Sequence, residues 1–266
     1  MNDKPHISVP TMADLAAEGK QPDVLFWVGC AGAFDDRYKR VTKAMIKILH
    51  HTGTSFAVLG PEESCTGDPA RRAGDEFTFQ MQALMNIEVL NGYQIKKIIT
   101  ACPHCFNTFK NEYPTLGGNY EVMHHATFLQ QLIQEGKLKM AEKGSFQGKR
   151  ITYHDSCYLG RANGIYEAPR KVLEQLDADL VEMRRCKSQG LCCGAGGAQI
   201  FKDAEKGNKE VHHDRAEEAL RTGAQVVAAA CPFCMTMLSD GVKHYEKEKT
   251  VMVRDLAELV VAAEGW

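Results

Sequence analysis

The sequence predicts an α/β fold made of two tandem, pseudo-symmetric copies of a βα unit with parallel strands. Three observations lead to this prediction. Short apolar runs alternate with segments of helical periodicity, and each cysteine group follows a strand-like run, so the cysteines are expected at the carboxyl ends of strands. Equivalent cysteines also recur at a nearly constant spacing: 127 residues from Cys30 to Cys157, 128 from Cys65 to Cys193, and 129 from Cys102 to Cys231.

The first elements follow from local patterns. Residues 1–22 are polar and contain three prolines, so we expect an extended arm with at most one short amphipathic turn. Residues 24–28 form an apolar run that is typical of a buried parallel strand, and it ends at Cys30. Residues 35–48 combine two helix-capping aspartates with apolar residues at helical spacing, and residues 56–59 are predicted to form the second strand.

The rest of the first copy contains a loop, a long helix and a strand. Cys65 lies in a polar loop, and residues 98–100 form a strand that leads into Cys102-Pro103-His104-Cys105. Between them, a helix is predicted from about Asp75 to the Asn91-Gly92 pair. The apolar face of that helix is formed by Phe77, Met81, Leu84 and Met85.

The second copy repeats this order. The repeat extends beyond the cysteines, since Val122-Met123 and Val251-Met252 are also 129 residues apart. A Gly- and Lys-rich stretch at 136–149 is the expected linker. The predicted domains are an arm (1–22), a first cysteine-rich copy (23–140) and a second, complete copy (141–266). The second-copy elements are a strand at 151–153, a helix begun by Pro169, a strand near 180–181, a helix at 214–223 and a strand at 225–229.

Composition excludes several classes of protein. The chain has 266 residues, 44% hydrophobic and 25% charged, with a formal net charge of −2, so neither nucleic acid nor an anionic membrane surface is an expected partner. Ten cysteines without an apolar N-terminal segment predict a reducing compartment, the cytoplasm. No apolar run approaches the ~18 residues of a membrane span, so any membrane association is expected to come through partner subunits.

The cysteines allow three interpretations. The motifs CPHC at 102–105 and CPFC at 231–234 resemble thiol–disulfide redox pairs, in which a helix N-terminus lowers the thiol pKa. A structural zinc site is the second interpretation, although five thiols exceed what tetrahedral zinc needs. Iron–sulfur clusters are favoured, because thiolates hold them and the glycines after Cys193 let backbone amides approach sulfur.

The combination of Cys157, the Cys192-Cys193-Gly194 doublet and CPFC closely resembles the cysteine-rich CCG domain of the heterodisulfide reductase B-subunit family. That domain also occurs in the iron–sulfur subunits of glycolate oxidase, anaerobic glycerol-3-phosphate dehydrogenase and the lactate-utilisation system. The resemblance covers nearly the whole chain as two tandem domains. It implies a non-cubane [4Fe-4S] cluster in the second copy, and carried over residue by residue its ligands are Cys157, Cys192, Cys193, Cys231 and Cys234.

The first copy departs from the family pattern, because Ser64 stands where the doublet has its first cysteine. A serine hydroxyl is a poor substitute, since its pKa is far above that of a thiol. The four remaining thiols are expected to hold a second iron–sulfur cluster, either a conventional cubane or a smaller one. These four are Cys30, Cys65, Cys102 and Cys105.

The resemblance implies an oxidoreductase function as an electron-transfer subunit of a heterodisulfide-reductase-like complex. Electrons are expected from a ferredoxin-like iron–sulfur subunit or a flavoprotein, and a small disulfide or thiol is a possible substrate at the second cluster. A cluster-free thiol–disulfide oxidoreductase and a structural zinc protein stay as alternatives.

Other residues receive less specific predictions. His154 is a candidate catalytic residue, as a hydrogen-bond donor to the cluster or a proton relay, or else a structural histidine. His104 is expected beside the cluster instead of on it, and Cys186 is expected to be an ordinary thiol. Adjacent histidines at 124–125 and 212–213 are expected to point apart and to make poor joint ligands. Arginines near the cysteine loops could offset cluster charge: Arg71, Arg72, Arg161, Arg184 and Arg185.

Overall fold

Each copy contains a four-stranded parallel sheet, as the α/β prediction requires. A computed structural model describes residues 7–140, 145–203 and 206–266. The spatial orders, β2-β1-β3-β4 and β6-β5-β7-β8, are the same in the two copies. The strands are β1 Val24–Trp27, β2 Phe56–Ala57, β3 Lys97–Thr100 and β4 Glu121–His124 in the first copy, and β5 Arg150–Tyr153, β6 Asp179–Leu180, β7 Val226–Ala229 and β8 Met252–Asp255 in the second.

Helices cover the sheets and connect the strands. The first copy contains α1 Met12–Ala17, α2 Gly29–Phe34, α3 Lys39–His51, α4 Asp68–Arg72, α5 Glu76–Gly92, α6 Pro103–Asn107 and α7 His125–Gln134. The second copy contains α8 Glu167–Glu174, α9 Val211–Leu220, α10 Pro232–His244 and α11 Leu256–Glu264. The predicted aspartate caps do not close α3, whose N-cap is Tyr38 without a side-chain hydrogen bond. The Asp35 carboxylate instead accepts the backbone N–H of Tyr38 at 2.6 Å in the turn before the helix.

The N-terminal segment packs on the first sheet. Residues 1–6 of the predicted arm, and residues 141–144 of the predicted linker, lie outside the described residues. Thr11 forms a parallel bridge with Val58, and Met12 at the start of α1 is fully buried. The sequence predicted one strand over 56–59. In the structure β2 ends at Ala57, and Val58 forms an isolated bridge with the N-terminal segment.

The buried face of α5 differs from the apolar face that the sequence singles out. Phe77, Met81, Leu84 and Met85 are all exposed, and the helix buries Phe79, Ala83, Asn86, Ile87 and Leu90 instead. Asn86 supplies a physical reason, because its amide donates to the Cys65 carbonyl at 2.9 Å and to the Tyr113 hydroxyl at 3.1 Å. Those partners satisfy the one polar side chain on an otherwise apolar buried face.

The last strands correct the alignment of the two copies. Glu121 pairs with Lys97 in the first sheet, and Met252 pairs with Val226 in the second. Since Lys97 and Val226 are equivalent by the cysteine spacing, Glu121 corresponds to Met252. The predicted equivalence of Val122-Met123 with Val251-Met252 is therefore wrong by two residues, because the connection before β8 is longer.

The two copies share one hydrophobic core. Helix α3 packs against α11, and α7 packs against α8. Polar contacts also cross the interface between the copies, and two of them involve ionisable side chains in or next to these helices. Arg37 donates to both carboxylate oxygens of Glu258, at 2.8 and 2.6 Å, and fully buried His125 contacts Asp255 at 3.0 Å.

Candidate metal centres

The first-copy pocket brings together the four predicted thiols. Cys30 lies in α2 just after β1, Cys65 in the loop before α4, and Cys102 and Cys105 at the start of α6. All four line one pocket. Cys30 and Cys65 share a thiol hydrogen bond, and so do Cys102 and Cys105.

Backbone and hydroxyl groups hold this pocket in place. The Gly67 N–H donates to Cys65 Sγ at 3.4 Å, and the Thr66 hydroxyl donates to Cys105 Sγ at 3.8 Å. The Glu63 carboxylate accepts the N–H groups of Val28 at 3.0 Å and Gly29 at 2.5 Å, which ties the Cys65 loop to the end of β1. Gly29 has φ +76°, a left-handed conformation that favours glycine.

Ser64 does not contribute to this pocket. Its side chain is exposed, and its hydroxyl donates to Asn86 Oδ1 at 2.8 Å on α5. The first copy therefore presents four thiols.

The five thiols of the second copy form a continuous chain, and this cluster is the second-copy pocket. Cys157 contacts Cys192, Cys192 contacts Cys193, and Cys234 contacts Cys231 through thiol hydrogen bonds. The remaining link is Cys193 Sγ to Cys234 Sγ at 3.3 Å. The sequence-predicted ligand set is thus brought together from the end of β5, the doublet loop and the start of α10.

Glycine shapes the doublet loop. The Gly194 N–H donates to Cys192 Sγ at 3.3 Å. Gly194 has φ +90°, and a Cβ there would lie 3.2 Å from Val211 Cβ. A larger residue would be strained and crowded, so glycine is required for this amide to reach the sulfur.

The packed thiols perturb one another. Hydrogen bonds from Cys157 and Cys193 lower the pKa of Cys192, while the hydrogen bond to Cys192 and burial raise the pKa of Cys157. The hydrogen bond to Cys192 and burial likewise raise the pKa of Cys193 despite its contact with Cys234. Five thiolates at this spacing would repel strongly unless a cation joined them.

The donor set matches a thiolate-ligated iron–sulfur centre. All ten cysteines are among the described residues and are free thiols. Soft thiolate ligands select iron–sulfur clusters, zinc or Cu(I), and five convergent thiols exceed the four of a closed tetrahedral zinc site. Backbone N–H groups at Gly67 and Gly194 supply the hydrogen bonds that such clusters accept.

His154 lies at the second pocket. It is fully buried, and its Nδ1 accepts Arg215 Nε–H at 2.9 Å. One ligand atom each of His154, Cys193 and Cys234 lies within 4.8 Å of the others. Burial and the Arg215 charge lower the pKa of His154 to about 3, so the imidazole is neutral at neutral pH. A neutral imidazole favours hydrogen bonding over proton delivery.

The two pockets meet at a seam between the CPHC and CPFC motifs. His104 contacts Asp68 through Nδ1 at 2.9 Å and also hydrogen-bonds Cys231 of the other copy. Burial lowers the pKa of His104, but the bonds to Asp68 and Cys231 outweigh it and raise that pKa to about 10. Phe233 lines the first-copy pocket, and its ring centroid is 4.9 Å from that of His104. Each motif therefore touches the pocket of the other copy.

Several predicted residues lie outside both pockets. Cys186 is partly exposed, and burial and the nearby Glu182 raise its pKa. The prediction that adjacent histidines point apart is wrong for both pairs. The ring centroids lie 4.1 Å apart at 212–213, where both residues group with Glu210, and 4.5 Å apart at 124–125. Four of the five arginines bond protein groups: Arg71 and Arg72 contact Glu112, Arg161 donates to Gly190 O, and Arg185 contacts Asp214 and Glu218.

Sequence reasoning missed Asp68 and Arg215. Both are buried partners of pocket histidines, and both approach from helices that are distant in sequence. In the sequence, each is a single charged residue in a helical segment. Such residues usually lie on a solvated surface, so nothing singled them out.

Comparison with known proteins identifies two matching segments. Residues 24–110 and 151–239 both match the family described as "Cysteine-rich domain", CCG. In fold, the chain is similar to a solved hypothetical protein from Helicobacter pylori, with a TM-score of 0.59 and 10% identity, covering 92% of this chain and 50% of that one. Among the described residues, no helix has the length and apolar character needed to cross a membrane.

Curated relatives carry oxidoreductase names. "EtfAB:quinone oxidoreductase" of Syntrophomonas wolfei is 43% identical over 92% of this chain and 35% of its own length. "Probable iron-sulfur-binding oxidoreductase FadF" of Bacillus subtilis is 42% identical over 97% and 36%. A dihydromethanophenazine:CoB--CoM heterodisulfide reductase component of Methanosarcina barkeri is 35% identical over 95% and 61%. The chain thus spans just over a third of the first two relatives. With both halves matched, the chain belongs to the cysteine-rich CCG domain family, as two tandem copies.

Proposed function

We propose that this chain is the iron–sulfur electron-transfer part of a heterodisulfide-reductase-like oxidoreductase. The observation that supports this most directly is the continuous contact of five thiols in the second copy, from Cys157 to Cys231. Relatives named as an iron–sulfur-binding oxidoreductase and as a heterodisulfide reductase component support the same class.

The proposed cofactors differ between the copies. The five second-copy thiols would hold a non-cubane [4Fe-4S] cluster, and the four first-copy thiols a conventional cluster. An iron–sulfur cluster supplies one-electron redox chemistry, with its potential set by charge, burial and hydrogen bonds to sulfur. The chain's own residues provide the thiolates, the N–H donors and a buried site.

The proximity of the pockets supports electron transfer between them. His104 hydrogen-bonds Cys231, and Phe233 borders the first-copy thiols, so residues of one motif bridge to the other pocket. A ferredoxin-like subunit or a flavoprotein is the proposed electron donor. Reduction of a small disulfide to two thiols would take two electrons from that donor and two protons. A cytoplasmic location is also part of the proposal.

The test is anaerobic purification followed by metal, sulfide and paramagnetic resonance analysis. We expect iron and acid-labile sulfide in amounts for two clusters, and two distinguishable signals. Stoichiometric zinc without labile sulfide would contradict the proposal and support a structural zinc protein. A colourless, metal-free protein with thiol–disulfide exchange activity would support the cluster-free alternative.

A further inference from the structure

Two buried N–H groups occupy equivalent positions in the two copies. Trp27 ends β1, and His154 directly follows β5. Both side chains are 0% exposed. Trp27 Nε1 and His154 Nε2 have no hydrogen-bond partner in the part of the chain that the structure describes. Strand pairing establishes this equivalence. Phe26 pairs with Ile99, which lies three residues before Cys102, and Tyr153 pairs with Ala228, which lies three residues before Cys231. Phe26 and Tyr153 therefore correspond, and so do the residues that directly follow them.

The proton position on His154 is determined by Arg215. An arginine guanidinium can only donate hydrogen bonds, so Nδ1 of His154, 2.9 Å from Arg215 Nε, must be the acceptor. In the neutral ring the proton is then on Nε2. A ring nitrogen of His154 lies within 4.8 Å of the ligand atoms of Cys193 and Cys234, a distance that alone would also permit metal ligation. A protonated Nε2 has no free lone pair and cannot be a ligand.

Trp27 presents the corresponding group in the first copy. An indole Nε1–H is a donor only. A Cβ placed on Gly29 would lie 3.6 Å from Cys105 Sγ and 4.0 Å from Trp27 Nε1, so the indole edge and the thiol flank the same backbone position. Burying a donor without an acceptor is unfavourable, and Cys105 Sγ is the acceptor atom that lies beside Gly29 together with the indole N–H.

We propose that His154 Nε2–H and Trp27 Nε1–H each donate a hydrogen bond to sulfur of the metal centre in their own copy, and that His154 is not a ligand. This proposal rests on the proposed function. Hydrogen bonds to sulfur stabilise the more negative, reduced state of a cluster, so each donor raises the reduction potential of its own centre.

The test compares three variants by redox titration monitored by paramagnetic resonance. His154→Phe removes the donor and should shift the second-copy centre to a more negative potential, leaving the first unchanged. Trp27→Phe should shift the first-copy centre to a more negative potential and leave the second-copy centre unchanged. His154→Gln keeps an N–H donor and an acceptor for Arg215, and should restore a potential close to wild type. Iron and sulfide content should stay at the wild-type level in all three.

A second measurement uses the wild-type protein, so it does not depend on variants that fold poorly. With 15N-labelled histidine, pulsed paramagnetic resonance should show only the weak couplings of hydrogen-bonded nitrogens, from His154 and from His104 at Cys231, and the His154 coupling should be absent in His154→Gln. A strong coupling from a directly bound nitrogen would overturn the assignment of His154, as would an unchanged potential in His154→Phe. An unchanged potential in Trp27→Phe would overturn the assignment of Trp27. Wild-type protein without iron and sulfide would instead overturn the proposed function itself.

Discussion

The two copies share a sheet order but differ in the chemistry around their thiols. The strand orders and the positions of the cysteine groups are equivalent. The positions that differ include Ser64 against Cys192, Trp27 against His154, and His104 against Phe233. The backbone scaffold therefore determines where the sulfur atoms meet, and a few side chains at its edge determine how many ligands and donors each pocket has.

The largest expected effect is the loss of one metal centre while the other is kept. Cys193 contacts both Cys192 and Cys234, so Cys193→Ala interrupts the five-thiol chain in its middle. We expect loss of the second-copy resonance signal and of about half of the bound iron, since two centres are proposed. Cys186→Ala is the control and should leave both signals. Loss of both signals, or of neither, in Cys193→Ala would contradict separate sites.

A second prediction tests a helix whose length differs between the copies. Helix α5 has 17 residues and its counterpart α9 has 10. Leu90 is 0% exposed and Leu84 is 48% exposed. Leu90→Ala should lower the free energy of unfolding by about 2–5 kcal/mol, because it leaves a cavity. The matched change Leu84→Ala should cost less than about 0.5 kcal/mol. Chemical denaturation measures both, and equal costs would contradict the observed face.

The third prediction makes the first motif resemble the second. His104→Phe converts CPHC to CPFC and removes the hydrogen bond to Cys231. Loss of such a partner typically weakens metal binding by ~10-fold or more, so iron retention by the second-copy centre should fall during chelator challenge. Phe233→Leu changes the same seam without removing a hydrogen bond and should retain iron. If His104→Phe released iron from the first copy alone, the cross-copy contact would be unsupported.

The smallest expected effect comes from restoring the missing cysteine. Ser64→Cys gives the first copy five cysteines, but the side chain at 64 is exposed and directed toward Asn86, away from the pocket. We expect the first-copy resonance signal to stay as in wild type. Appearance of a second non-cubane-type signal would show that the loop can turn inward and that ligand count alone separates the two centres.

The sequence was sufficient for the fold class and for the grouping of the cysteines, because a duplicated spacing is visible without coordinates. It could not select the buried face of α5, since that helix is apolar on several sides and Asn86 finds its partners at Cys65 and Tyr113, far along the chain. The equivalence of Trp27 and His154 was also hidden, because unlike residues reveal it only through strand register. The burial of Met12 could not be predicted either, because it depends on the pairing of Thr11 with Val58, which is distant in sequence.

The interface between the copies has a consequence for how the centres can diverge. Helices α3 and α8 follow the first strand of each sheet, and α7 and α11 follow the last, so the contacts α3–α11 and α7–α8 interchange when the copies are swapped. Two separate single-copy chains could form the same isologous homodimer. In such a dimer every substitution would alter both centres at once. Fusion into one polypeptide removes that constraint, so the side chains around the thiols of one half can change without changing those of the other.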